Sequence, residues 1–360
     1  SRAARLYLEK RHQITDPKLL LEAARSFGLA ALAEGPGSLD VLSYVDPVNN
    51  PPCDLTDIFE RMVVAVQTQQ RSDHREELVG RPSPESLEKA VEILAAASAV
   101  CQLPNLELAP DALMVRDGVL SCRPLVGSLL SEKSLAYLLG SRLFIDSGQH
   151  QVKLYPEQLL PYLAAKRLHA LVQSPEDARR LVSALSWRSA TGECGVHRAY
   201  LALAGWLATF NVHCRHELLN LEPQAVAFFG DLRNPQVSLA DASTALKESL
   251  ARLETLGDSL GRNHFTLTAE NYWQAAKAGI EPTLLELYDR FGEDQHARIA
   301  LLDIATYARL KVLRAKVLEE HENDYERLLA DSAQLKYLMA LNRDDDAKEI
   351  GRASCRERVS

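Results

Sequence analysis

Aromatic residues are scarce: Phe, Tyr and Trp make up 6% of the 360 residues, which tells against a large all-β sandwich. Glycine (17) and proline (16) fall far below the levels of a low-complexity or collagenous chain. Cysteines are few. They stand at 53, 101, 122, 194, 214 and 355 with no tight pairing pattern, which fits a reducing cytosol better than a disulfide scaffold. No apolar run reaches the about 18 residues of a membrane span, and the nearest, Ile93 to Cys101, is about half that length. Basic residues are outnumbered, 41 Lys and Arg against 49 Asp and Glu. The net charge of -8 is the wrong sign for a free-standing nucleic-acid binder.

Catalytic signatures are missing as well. No Gly-Lys dipeptide occurs, so there is no phosphate loop of the Walker A type. His216-Glu217-Leu-Leu-Asn220 approaches a zinc helix but puts Asn220 where the second histidine is required. His213, Cys214 and His216 crowd three possible ligands into four residues, yet helical spacing sends Cys214 away from the other two. Cys194 and His197 lack the orienting third group of a nucleophile pair. Arg198, Arg215 and Arg233 read as solvated arginines, with Trp206 in the core, rather than as a nucleic-acid face. The Asp344-Asp-Asp346 run reads as a solvated terminus. These residues predict no catalytic and no metal site.

What the sequence does contain is helix. Asp16-Pro17, Ser83-Pro84-Glu85 and Ser174-Pro175-Glu176-Asp177 each place a capping oxygen before a proline at the first helical position. Ser238-Leu-Ala-Asp241 and Thr268-Ala-Glu-Asn271 are weaker versions. Apolar stripes follow at three and four, as in Leu160, Leu163/Ala164, Leu168 and Leu171, and in Ile299, Leu302, Ala305 and Leu313. One segment departs: Leu143-Phe-Ile145, a turn over Asp146–Gln149, then Val152-Lys-Leu-Tyr155 predict a strand, a turn and a strand. With a helix near 131–140 before it and one after Pro156, it suggests a winged-helix-like unit, or else an isolated hairpin between helices. From 174 to 348 the chain predicts helices with breaks at Glu222-Pro223, Gly230 to Pro235, Gly257 to Asn263, Glu281-Pro282 and Gly292 to Asp294. Two-helix units of about 40 residues fit HEAT-like repeats of an α-solenoid, with a compact bundle as the alternative.

The ends look foreign or cut. Arg2 to Glu9 reads as mid-helix directly after Ser1, with no signal peptide. Residues 349–360 resemble the translation of a sequencing adapter. Without them the charge becomes -9 and Cys355 drops out. The sequence thus reads as an internal piece of a longer cytoplasmic protein.

Three stretches resemble the downstream half of STAND-type NTPases of the NACHT group. Ile14 to Leu42 is similar to the family's helical lid. Pro36 matches the proline that in the family packs against adenine, although a simple turn proline reads equally well. Val152-Lys-Leu-Tyr-Pro156-Glu-Gln-Leu-Leu-Pro-Tyr162-Leu-Ala-Ala165 is similar to the signature that begins the last winged-helix helix. The histidine that in the family reaches the ADP phosphate falls at Pro156, which has no donor to offer. That departure tells against ADP sensing by this module. Ala204-Gly-Trp206, Asn220-Leu-Glu-Pro223, Glu281 to Leu287 and Ala297 to Ile304 look like the helical-repeat arm that follows such modules in bacterial proteins.

The resemblance implies a mainly α chain: a lid over 1–50, a winged-helix-like module over 51–173 with its hairpin at 142–155, and HEAT-like repeats over 174–348. It implies a regulatory and sensor arm without catalysis of its own, in a signalling NTPase, often of phage defence. ATP or ADP would belong to the parent core. Protein partners would meet the repeats, and the parent would form homo-oligomers on ligand binding. Membranes and nucleic acid are not expected partners. A helical scaffold with no NTPase is the alternative.

Overall fold

The computed structural model describes residues 2–12, 14–26, 39, 42–43, 52–67, 82–108, 118–148, 150–190, 192–264, 267, 269–291, 294–321 and 332–341. Pro36, Thr268, Asp344–Asp346 and the tail 349–360 lie outside the described residues. The described chain is mainly helical, with seventeen helices and six strands of three to five residues.

Local chemistry sets the first elements. Helices α1 (Arg2–His12) and α2 (Pro17–Ser26) are separated by Asp16, whose Oδ1 accepts the Leu19 N–H at 2.9 Å. Helix α3 is Leu55–Gln67. In α4 (Pro84–Cys101), Ser83 accepts the Ser86 N–H and Pro84 takes a position where its missing donor costs nothing. Both caps are the ones the sequence signals.

The next module runs β1 (Asn105–Glu107), β2 (Val119–Ser121), α5 (Cys122–Val126), α6 (Glu132–Leu139), β3 (Phe144–Gly148), β4 (Gln151–Leu154) and α7 (Leu159–His169). Its sheet has the order β2-β1-β4-β3. β1 and β2 are parallel, and the other pairs are antiparallel. The expected hairpin is β3–β4, but its turn falls later than Asp146–Gln149. Strand β3 continues to Gly148 because a register shift between Asp146 and Gly148 absorbs a residue. Gly148, at φ +86, supplies the left-handed backbone that the bend needs.

The arm consists of α8 (Pro175–Ala184), β5 (Ser186–Arg188), β6 (Cys194–Val196), α9 (Leu201–Phe210), α10 (Val212–Leu221), α11 (Pro223–Phe229), α12 (Leu239–His264), α13 (Ala269–Ala275), α14 (Glu281–Phe291), α15 (Gln295–Tyr307), α16 (Arg314–His321) and α17 (Ser332–Leu341). Two expectations need correction. The β5–β6 hairpin interrupts a region read as helix throughout. The break expected over Gly257–Asn263 is absent, since α12 runs through it for 26 residues. An interior glycine costs a helix only about 1 kcal/mol, too little to end one rich in good helix formers.

Helices of the arm touch their second neighbours in sequence. One layer is α9–α11–α13–α15–α17, and a second is α8–α10–α12–α14. At the head of this stack Ser174 forms a full capping box: its Oγ accepts the Asp177 N–H, and Asp177 Oδ2 accepts the Ser174 N–H, both at 3.1 Å. Ser174→Ala should cost about 1 kcal/mol in urea unfolding. An unchanged midpoint would show that the box contributes nothing.

A single apolar core runs through module and arm. Tyr162, Leu163, Ala164 and Ala165 on α7 are all buried, and α7 packs chiefly on α4 and α9. Tyr162 meets Phe59 of α3, Trp206 and Phe210 at centroid separations of 5.3, 5.0 and 5.8 Å. Edge-to-face geometry of this kind adds to the burial of the rings themselves. Leu171, expected on the α7 stripe, lies past the helix end and is exposed.

Candidate functional site

The residues singled out for chemistry do not converge. Cys214 is buried, and burial pushes its thiol up to about 12. His216 is exposed, and its carbonyl accepts Asn220 Nδ2 at 3.1 Å within α10. His197 turns Nδ1 to the Ala199 N–H at 3.4 Å and so caps a short 3-10 turn over Arg198–Tyr200. Among the described residues no three His, Cys, Asp or Glu side chains are grouped to hold a metal ion. Pro156, at the signature-histidine position, is buried between β4 and α7.

The three arginines have separate roles, and two correct the solvated reading. Arg198 is exposed. Arg215 is only 4% exposed because its guanidinium is fully engaged: Nε meets Asp241 at 3.0 Å, NH1 donates to the Ala208 carbonyl at 2.7 Å, and NH2 to the Gln236 carbonyl at 3.0 Å. Arg233 is half-buried, stacked 4.3 Å over the Trp273 ring, with NH1 on the Ala276 carbonyl at 3.2 Å. Trp206 is in the core, as expected.

Gly257-Asp-Ser259-Leu-Gly261 has the spacing of a nucleophile elbow. The elbow needs a sharp turn between a strand and a helix. Here the backbone is helical from Leu239 to His264, so that context is missing.

A dense polar cluster lies where the sequence shows only a break, in the loop between α11 and α12. Asp231 is fully buried. Its Oδ2 accepts both the backbone N–H and the hydroxyl of Thr56, each at 2.8 Å, across 175 residues of chain. Its Oδ1 is buried without a hydrogen bond. The Asp231 N–H donates to Thr209 Oγ1 at 2.7 Å, which in turn donates to the Gly205 carbonyl at 3.1 Å. Asn234 Nδ2 donates to Thr56 Oγ1 at 2.9 Å, and Lys277 Nζ donates to the Asn234 carbonyl at 3.0 Å. Three stretches thus meet: the Asp54–Thr56 corner that opens α3, the 230–238 loop, and the segment after α13.

Electrostatics at this junction are unbalanced. Burial, then the nearby Asp54 charge, push the Asp231 carboxyl up to about 6, against the opposing pull of Thr56 and Arg233. Burial also lowers the Arg233 and Lys277 values, while both carboxylates raise them. The arrangement can hold or release a proton at Asp231 and can fasten the corner to the arm. No local pattern in the sequence links Thr56 to Asp231. The one visible hint is an aspartate directly after a glycine, in a loop that also carries asparagine and proline.

No family model, curated protein or solved structure matches the chain.

Proposed function

We propose that this chain is the non-catalytic regulatory and sensor arm of a STAND/NACHT-like signalling NTPase, prokaryotic and of the anti-phage defence type. The observation that carries the reading is the seam at α7. Residues 84–154 follow the order helix, two parallel strands, helix, helix, hairpin, which is the order of a winged-helix unit with one added edge strand, β2. The β1–β4–β3 pairing fits that order. The helix after the hairpin bears Tyr162-Leu-Ala-Ala165, buried between α4 and α9 of the layered arm. A module so joined would transmit movement between a nucleotide-binding core and the repeats.

Under this reading ATP or ADP belongs to the parent chain, and Pro156 offers no phosphate donor from this module. A ligand on the arm would switch the parent toward an oligomer only through different affinities for its two states. The five described cysteines, all free, support a reducing cytoplasmic setting. No helix among the described residues is long and apolar enough to cross a membrane.

The second reading is a helical scaffold with no NTPase, and the two-layer stacking of α8 to α17 favours it as much as the first. The coding sequence upstream of Ser1 separates the two. A phosphate loop followed by an acidic strand supports the regulatory arm, and absence of both leaves the scaffold. The purified chain should release no phosphate from ATP above a buffer control. Turnover would sink both readings.

A further inference from the structure

We propose that Asp231 is a proton-operated latch: its neutral carboxyl clamps the Asp54–Thr56 corner onto the 230–238 loop, and its ionised form loosens that clamp. The geometry is one-sided. Both hydrogen bonds fall on Oδ2, and Oδ1 is buried with none. A buried charge is tolerable only when it is paired or fully solvated by hydrogen bonds.

The charged groups facing the carboxyl do not supply that pairing. Asp54, from the corner itself, is of like charge, and its Oδ1 is occupied in capping the Asp57 N–H at 2.8 Å. Arg233, from the same loop, directs its guanidinium to the Cys53 and Ala276 carbonyls and to the Trp273 face. Lys277, from the segment after α13, donates to the Asn234 carbonyl. Among the described residues neither cation forms an ion pair with Asp231. Thr56, Thr209 and Asn234 complete the shell and are neutral.

The sign follows from linkage. A carboxyl that binds its proton more tightly when closed than when exposed favours closure at low pH. The contribution is complete below the ordinary aspartate value of about 4 and is lost as pH rises through about 6. Between these limits the closing constant should change on the order of ten- to a hundredfold. The latch is a property of this chain and holds with or without an NTPase core ahead of it.

The test uses the full 360-residue chain. Carbon-detected NMR follows the Asp231 carboxyl, and hydrogen exchange at the Thr56 amide, corrected for its intrinsic pH dependence, reports opening. A midpoint near 6, with Thr56 protection falling about tenfold from pH 5 to 7.5, is the expected result. In Asp231→Asn, which keeps an acceptor for Thr56 but does not titrate, protection should be flat with pH. A midpoint near 4 overturns the proposal, as does constant protection in the wild type, or a fall that persists in Asp231→Asn. Should the variant not fold, the two wild-type measurements decide alone.

Discussion

Gly205→Ala should destabilise the protein by about 3 kcal/mol, the upper end of what overpacking a tight contact costs. Helix propensity alone predicts the opposite sign, since alanine is better than glycine in a helix interior by about 1 kcal/mol. Packing decides. A Cβ at Gly205 would lie 2.5 Å from the Phe229 carbonyl oxygen, and would overlap Phe229 C and the Gly230 N–H nitrogen outright. All three are backbone atoms, so no rotamer change relieves the clash. Helix α9 meets the end of α11 here, and the Gly205 carbonyl is also the acceptor for Thr209 Oγ1. The strain therefore reaches the Asp231 junction through Thr209. Chemical denaturation reads the effect directly: a lowered midpoint confirms the close crossing, and a raised one would show that the helices do not meet there.

Local signals were legible in the sequence, and distant ones were not. Ser83, Ser174 and Asp16 announce their helices because a cap and its recipient lie within three residues. The β3–β4 hairpin is visible because both strands carry apolar residues around a turn. Strands β1, β2, β5 and β6 have three residues each, too few for alternation to register, and their pairing is set by the helices around them. Gly257 and Gly261 looked like punctuation, but a long helix carries such residues when its other positions favour it.

Buried charge escapes a local reading for a related reason. An arginine in an acidic chain reads as solvated, yet Arg215 is buried because carbonyls of Ala208 and Gln236 and the Asp241 carboxylate converge on it from three places. Composition cannot show such convergence. The Thr56–Asp231 contact is the extreme case, since it joins residues 175 apart, with each looking ordinary in its own neighbourhood. The polar junction becomes visible only through the fold, whereas Leu163 and Ala164 of the apolar seam are legible as part of a helical stripe whose other members, Leu160, Leu168 and Leu171, are only partly buried or exposed.

That seam carries the other large effect. Ala164→Arg should remove the cooperative thermal transition or lower its midpoint steeply. Ala164 is fully buried on α7, flanked in sequence by Leu163 and Ala165, which are buried too. An arginine there must either bury an unpaired guanidinium or force α7 away from α4 and α9. The α4 carboxylates that reach α7, Glu88 and Glu92, already hold Lys166 at 3.1 and 3.7 Å, so a second cation would compete rather than pair. An uncompensated buried charge costs about 3–5 kcal/mol, a large share of the 5–15 kcal/mol that holds a typical domain together. Loss of this contact would also undo the Tyr162 edge-to-face contacts with Phe59 and Trp206, and with them the tie between α3, α7 and α9. Ala136→Arg is the control, because Ala136 is exposed on α6 and should accept arginine with little change. Equal melting curves for the two variants would mean that α7 does not sit at the centre of the molecule, and the seam on which the proposed function rests would go with it.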